Sequence, residues 1–426
     1  MDIFFIKAYC LNKKICYNAD LNEKRLKGLK FKMIRRNLTL FKWDHFLGGL
    51  WPLSTLSIIY FEQISGSYAL ATAVFAFSSL VTTFMEIPIG VFSDNKGRRK
   101  TLLWSPILVF FTFLCWALAG EFSCVWLLFI GAFAWGTSAS IASGTLEALV
   151  YETMQELKAQ GDFNVQYAKN GGWNQVGLAM SAISAALVSY FFSLQVLAWV
   201  SVLPALFQIV VVYLLVEPKR IRGSEKVNSY KHFLIAFRKL KRNKRLRFFA
   251  GIQLVDNAFG MASFRFESAY YQLFVADWLI NLARFLKQIC GMVSFFIVPY
   301  IRKIGMIRLF FFSMIGNVFV RVLGVVLNNF LTPFVMSTVN LFFGTARTAN
   351  ADILQQEFSP RQRATMQSII SFLSGILMAA VMVLFGFLGD VFGPETAIIL
   401  GIVMKILILI VSALCFKKVY KKGQGY

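Results

Sequence analysis

Charged residues buried in apolar stretches are the first place to look for chemistry in this chain. Asp256, Glu267, Arg284, Lys287 and Arg347 each lie within a run of apolar residues about twenty long, enough to cross a hydrocarbon core about 30 Å thick. An ionisable group at such a depth costs several kcal/mol unless it is paired or hydrated, so each is a candidate for binding a substrate or moving a proton. Asp256, Gly260, Ser263 and Glu267 fall at i, i+4, i+7 and i+11 and share one face of a helix, while Arg265 faces elsewhere. Arg284 and Lys287 are three residues apart and share a face. Counted from the base-rich ends of their segments, Asp256 and Arg347 are at similar depth, roughly 13 Å at about 1.5 Å per residue, and Glu267 and Arg284 lie deeper together. Ion pairs Asp256–Arg347 and Glu267–Arg284 are therefore expected, since pairing offsets the cost of burial. That leaves Lys287 without an acid. An unpaired ammonium there deprotonates or is met by an anion, which points to a substrate bearing a carboxylate. The alternatives are that Lys287 snorkels to water, or pairs with Asp256 and leaves Arg347 for Asp352. Arg321 and Lys405 are given no role.

In the first half of the chain the acids Asp44, Glu86, Glu147 and Glu152 stand near the base-rich ends of their segments. Glu86, next to Pro88, is the candidate for carrying a proton.

The elements that must hold these groups are membrane helices. The 426 residues are 57% hydrophobic and only 15% charged, with a mean hydropathy of +0.62, whereas soluble domains carry about 25% charged residues. A net charge of +23 would suggest nucleic acid in a soluble protein. The placement of the bases excludes that. Twelve spans can be drawn, near 40–61, 68–92, 102–119, 125–150, 170–192, 195–216, 248–273, 278–301, 307–328, 332–356, 366–389 and 395–416. With Lys42 and Arg308, at the inner ends of their spans, counted with the adjoining tail and loop, all but six of the 44 Lys and Arg fall in the two tails and the inner loops, which sets the orientation with both termini cytoplasmic. Residues 217–247 carry Phe233, Leu234, Phe237 and Leu240 at helical spacing among bases. They read as an amphipathic helix on the anionic lipids of the inner leaflet, or as a solvated linker. Cys10, Cys16, Cys115, Cys124, Cys290 and Cys415 show no CxxC spacing, and with two histidines no disulfide or metal site is expected. Residues 1–38 do not form a signal peptide.

Between the second and third spans, Gly90-x3-Asp94-x2-Gly97-Arg98-Arg99 packs one acid and several bases into a short turn. This spacing resembles the loop between helices 2 and 3 of the major facilitator superfamily, with Phe92 and Asn95 as mild departures. The resemblance covers roughly residues 39–417 and implies an all-α membrane fold of twelve transmembrane helices in two six-helix halves. It implies that Asp94 and Arg98 latch the halves together in the outward-facing state, with Glu147 or Glu152 on the fourth helix as partner for Arg98. Ser143-Gly144-Thr145-x-Glu147 and Phe343-Gly344-Thr345-x-Arg347 echo one another between the halves, and Gly305 stands where Gly97 does. The domains are then a tail (1–38), a first half (39–216), a linker (217–247), a second half (248–416) and a tail (417–426).

A substrate site at the midplane between the halves follows from this architecture. The expected function is proton-coupled secondary transport of a small organic molecule across the bacterial inner membrane, as export, with uptake by symport as the alternative. A non-transporting receptor or scaffold is the alternative of another class. No Walker-type GxxxxGK[ST] is present, no catalytic constellation is recognisable, and no cofactor is expected. The anticipated partners are the substrate, protons and lipids, with no nucleic acid, and the protein is expected to be a monomer. Gly171-Gly172-x4-Gly177 lacks the proline found in the fifth helix of many drug antiporters, which weakens that subclass.

Overall fold

The structure is a computed structural model that describes residues 19–159, 162–218, 244–301, 305–356 and 360–420. The amphipathic segment at 233–240 and residues 302–304 lie outside the described residues. The described residues are helical throughout, with no strand. In chain order the helices are α1 (Ala19–Leu47), α2 (Ser57–Ser65), α3 (Tyr68–Lys96), α4 (Arg98–Glu121), α5 (Val125–Glu156), α6 (Phe163–Phe191), α7 (Leu194–Val200) and α8 (Val202–Tyr213) in the first half. The second half holds α9 (Lys244–Tyr271), α10 (Asp277–Ile301), α11 (Met306–Leu327), α12 (Thr332–Ser337), α13 (Phe343–Gln356), α14 (Pro360–Phe392) and α15 (Pro394–Tyr420).

Eight helical segments among the described residues are long and apolar enough to span a membrane. The other four expected spans are helical too, but broken or polar. The first is not one helix over 40–61. It breaks at Gly48–Trp51, passes through a 3-10 turn at Pro52–Thr55 and resumes as α2. Pro52 has no N–H to continue the ladder, and the two glycines lie against another helix. A Cβ on Gly49 would sit 2.4 Å from the Asn174 carbonyl oxygen, and one on Gly177 would sit 2.1 Å from that of Phe46. The Gly171–Gly177 stretch therefore serves, at Gly177, as a helix-packing surface of the kind small residues allow. The tenth span is likewise split, with a 3-10 segment at Thr338–Phe342 between α12 and α13.

The repeat between halves has a backbone signature. Gly97 opens α4 with φ +110° and ψ +138°, and Gly305 opens α11 with φ +95° and ψ +137°. Only glycine takes such angles without strain.

How the apolar core is distributed decides the shape of the site. One cluster runs through both halves, from Leu53, Phe61, Phe113 and Trp116 to Phe259, Phe266, Tyr270 and Phe385. Two smaller clusters lie nearer the Gly97 and Gly305 turns, and each stays within one half. Leu40, Phe41, Leu102, Leu149 and Val212 form the first, and Ala250, Leu309, Phe310, Ile369 and Ile370 the second. The halves thus share a core at one end, called here the far end, and keep separate cores at the end bearing the basic turns.

Candidate functional site

The basic turn after α3 is clamped by carboxylates. Glu217 accepts hydrogen bonds from the backbone N–H groups of Arg98 and Arg99, both at 2.9 Å, through its two oxygens. This caps the N-terminus of α4, where orphan donors and the helix dipole both favour an anion. A Cβ on Gly97 would meet that carboxylate at 3.5 Å. Arg98 Nε donates to Glu152 at 2.6 Å, and Arg99 donates to the Tyr213 carbonyl at 2.6 Å. Of the two acids on the fourth span, Glu152 is thus the partner of Arg98, while Glu147 lies beside Tyr167. The side chain of Asp94 falls outside the described part of the chain. These clamp contacts all lie within the first half and its trailing residues. Glu217 was not singled out by sequence, although an acid following a predicted span at the basic face was the available signal.

The first-half acids are dispersed. Asp44 is buried and held by Gln208, whose amide donates to its carboxylate at 3.0 Å. Glu86 is exposed on α3. The small residues of the fourth span do pack closely: a Cβ on Gly136 would lie 2.5 Å from the Ser78 carbonyl oxygen, and Ser138 meets Ser105 at 2.9 Å. Gly144, by contrast, faces open space.

In the second half, one carboxylate gathers three bases. Glu267 on α9 is fully buried. It is paired with Lys287 on α10, with Arg284 at 3.5 Å and with Arg321 of α11 at 3.3 Å; the three basic side chains are at most 7% exposed. Arg284 also donates to the Phe264 carbonyl at 2.8 Å and to Ser268 Oγ at 2.9 Å, and Arg321 Nε donates to Asn317 at 3.1 Å. The expected Glu267–Arg284 pair is therefore present, but Lys287 is not left without an acid. Because Arg284 and Lys287 share a face, a carboxylate opposite one is within reach of the other. Arg321 is one of the two bases to which the sequence assigned no role; the other, Lys405, pairs with Asp256. The spacing of Asn317 and Arg321, four residues apart on one helix, was the sequence signal for a polar face.

The expected Asp256–Arg347 pair is not formed. Asp256 is paired with Lys405, because α15 packs along α9 while α13 packs on α10 and α11. Depth alone could not distinguish the two bases; the neighbour relation decides. Gly260, one turn from Asp256, leaves room for the Lys405 ammonium, which a Cβ there would approach at 3.6 Å. Arg347 lies near the ring of Phe343 on its own helix, 5.9 Å from the ring centre. The Asp352 side chain is outside the described residues.

The hydrogen bonds seen between the halves cluster away from the Gly97 turn. Asp390, at the far end of α14, accepts from Ser67 Oγ at 2.6 Å and from the backbone N–H groups of Tyr68 at 2.6 Å and Ala69 at 3.0 Å. Thr55 donates to Asn281 at 2.6 Å, and Asn281 donates in turn to Ser189 at 3.1 Å. Ser268 donates to the Thr55 carbonyl at 2.6 Å. Towards the middle, Ser79 donates to the Gly375 carbonyl at 3.2 Å.

A family model described as the Major Facilitator Superfamily matches residues 45–283, more than half of the chain. No curated protein matches. Among solved structures, a variant of the nucleoside transporter NupG is similar over 90% of this chain and 100% of its own, with TM-score 0.77 at 14% identity. The POT family transporter PepTSo is similar over 93% and 99%, with TM-score 0.69 at 11% identity. A bacterial homologue of the human lysosomal transporter Spinster, solved inward-facing and unoccupied, is similar over 90% and 96%, with TM-score 0.67 at 13% identity. At these identities the likeness is one of fold.

Proposed function

We propose that this chain, which belongs to the major facilitator superfamily, is a proton-coupled secondary transporter that moves a small organic molecule by alternating access. One observation carries this reading. The halves share an apolar core and a set of hydrogen bonds at the far end, yet keep separate cores at the basic end. With the basic turns on the cytoplasmic side, as the positive-inside rule directs, this is a state shut to the outside and parted towards the cytoplasm. Rocking the halves about their midplane exchanges it for the opposite state. The far-end contacts suit such an exchange, because they are short polar links at a packed seam and not a permanent covalent tie.

Proton coupling is supported by ionisable groups held inside spans, Glu86 and Asp44 in the first half and the Glu267 group in the second. Each is costly to keep in a membrane without use. The direction proposed is outward, across a bacterial inner membrane, with uptake by symport as the alternative. The 217–247 segment and the N-terminal tail are proposed to rest on the cytoplasmic side against anionic lipid.

The test is flux in proteoliposomes under an imposed pH gradient, with a pH dye inside and panels of anionic, neutral and cationic small molecules outside. Substrate-dependent movement of protons supports the reading, and the direction that accumulates substrate gives export or uptake. No gradient-driven flux for any panel member, with correctly inserted protein, favours a receptor or scaffold.

A further inference from the structure

Arg265 is an intramembrane base with no acid paired to it among the described residues. Of the other bases in these spans, Arg284, Lys287 and Arg321 share Glu267, Lys405 holds Asp256, and Arg347 is exposed beside Phe343. Among the described residues no carboxylate and no hydrogen-bond acceptor is paired with the Arg265 guanidinium. Its contact is the face of Phe75 on α3, 4.9 Å from guanidinium carbon to ring centre. Its charged neighbour is Arg284, a like charge. A guanidinium offers five N–H donors and keeps its proton in any protein setting, and an aromatic face satisfies none of the donors as an acceptor would.

Arg265 borders a small cavity lined by polar and aromatic side chains. Arg265 comes from the second half, while all other groups around the small cavity it enters come from the first. Ser54, Ser57 and Ser78 supply hydroxyls, and Phe113, Trp116 and Trp135 supply aromatic walls. Trp51 packs edge-on against Trp135, ring centres 4.7 Å apart, and its indole N–H is buried with no acceptor. The cavity holds about 10 Å³, about the volume one water needs. Because one wall belongs to one half and the guanidinium to the other, its width is set by how the halves are rocked.

We propose that Arg265 and the three serines form the anion-recognition subsite of the transport cleft, and that the tryptophan wall selects carboxylates borne on an aromatic or other planar body. The inference rests on the alternating-access reading above. The carboxylate meets the guanidinium fork edge-on with two parallel N–H···O bonds, a geometry a lysine cannot offer. The planar body lies against the indoles, where stacking and apolar burial both favour it. The subsite is contracted in the present state and widens when the far end parts. The demand for an anion, assigned by charge counting to Lys287, thus passes to Arg265.

The experiment is equilibrium binding to the purified full-length protein in detergent, with no gradient and no flux. The probes are benzoate and cinnamate, with benzamide and cinnamamide as neutral isosteres. Binding is read by the rise in melting temperature and by quenching of tryptophan emission. The carboxylates are expected to bind at least about ten-fold more tightly than the amides. Arg265→Gln is expected to remove that preference, and Arg265→Lys, which keeps the charge but not the fork, to recover only part of it. Trp135→Phe reports whether the quenched indole is the one in the wall. Should Arg265→Gln not remain monodisperse, Arg265→Lys together with Ser78→Ala carries the comparison. Equal binding of acids and amides, carboxylate binding indifferent to these substitutions, or no carboxylate binding at all overturns the proposal. Because no transport is read, those failures are distinct from the failure of gradient-driven flux, which would overturn the transport reading instead.

Discussion

The carboxylate of Asp390, at the end of α14, accepts a hydrogen bond from Ser67 at 2.6 Å and so caps a helix of the opposite half. With the backbone N–H groups of Tyr68 and Ala69 as further donors, one acid fastens the two halves at the far end. A charged cap of this kind is worth about 1 kcal/mol. Asp390→Asn should therefore shift the balance between the two access states by roughly five-fold towards the state open at the far end. Labelling of single cysteines placed beside Tyr68 measures it. Unchanged labelling rates would show that the shared apolar core alone holds that end.

The Glu267 group makes an asymmetric prediction. Glu267→Gln leaves three buried bases without their acid, a change that costs about 3–5 kcal/mol. Lys287→Gln removes one of three bases and leaves two arginines on the carboxylate. Melting temperature in detergent should fall far more for the first variant than for the second. A similar fall for both would mean that the ammonium, rather than the carboxylate, organises the group.

Helix packing between the halves can be probed by adding a methyl. A Cβ on Gly375 would lie 2.0 Å from Thr83 Oγ1, so Gly375→Ala forces Thr83 to rotate or α3 and α14 to part. Flux should drop steeply at normal expression. Thr83→Ala removes the clashing hydroxyl, and the double variant should recover a large part of the loss. No recovery would place the defect elsewhere than this seam.

The turn at 90–99 is expected to act in gating. Asp94→Asn should keep membrane abundance and reduce transport heavily, and Glu217→Gln, which weakens the cap on α4, should reduce it by less. Full flux in Asp94→Asn at equal abundance would remove the functional weight of this loop.

Residues before Met33 should be dispensable for insertion and transport. Among the described residues, the contacts seen near the start of the chain lie after Met33: Ile34 is buried, Arg36 donates to the Leu214 carbonyl at 2.9 Å, and Asn37 exchanges two hydrogen bonds with Val216. A chain beginning at Met33 keeps all of these. Failure of that truncation to insert or transport would assign the leading segment a role of its own.

The sequence by itself determined the class of protein, the family and the elements, because those depend on local pattern. Apolar runs of membrane length, bases gathered at one face, and a glycine-bracketed acidic-basic turn are legible residue by residue. The match of Gly305 to Gly97 was legible for the same reason, since a positive φ demands the same residue type wherever it recurs. The tertiary structure alone decided which charge meets which. Asp256 had Arg347 and Lys405 among the bases of its half, and the choice fell to the helix packed beside it. Arg321, to which the residue pattern gave no role, joined Glu267 from α11. Arg265, set aside because it left the polar face of its helix, turned out to face the other half instead. Periodicity tells which residues share a face, but the partner of that face belongs to another segment, often a hundred residues away, and no local pattern encodes it. The sequence likewise held the glycines at 48 and 49 without showing that the first span breaks there. Beside that break α6 approaches so closely that a Cβ on Gly49 would lie 2.4 Å from the Asn174 carbonyl oxygen.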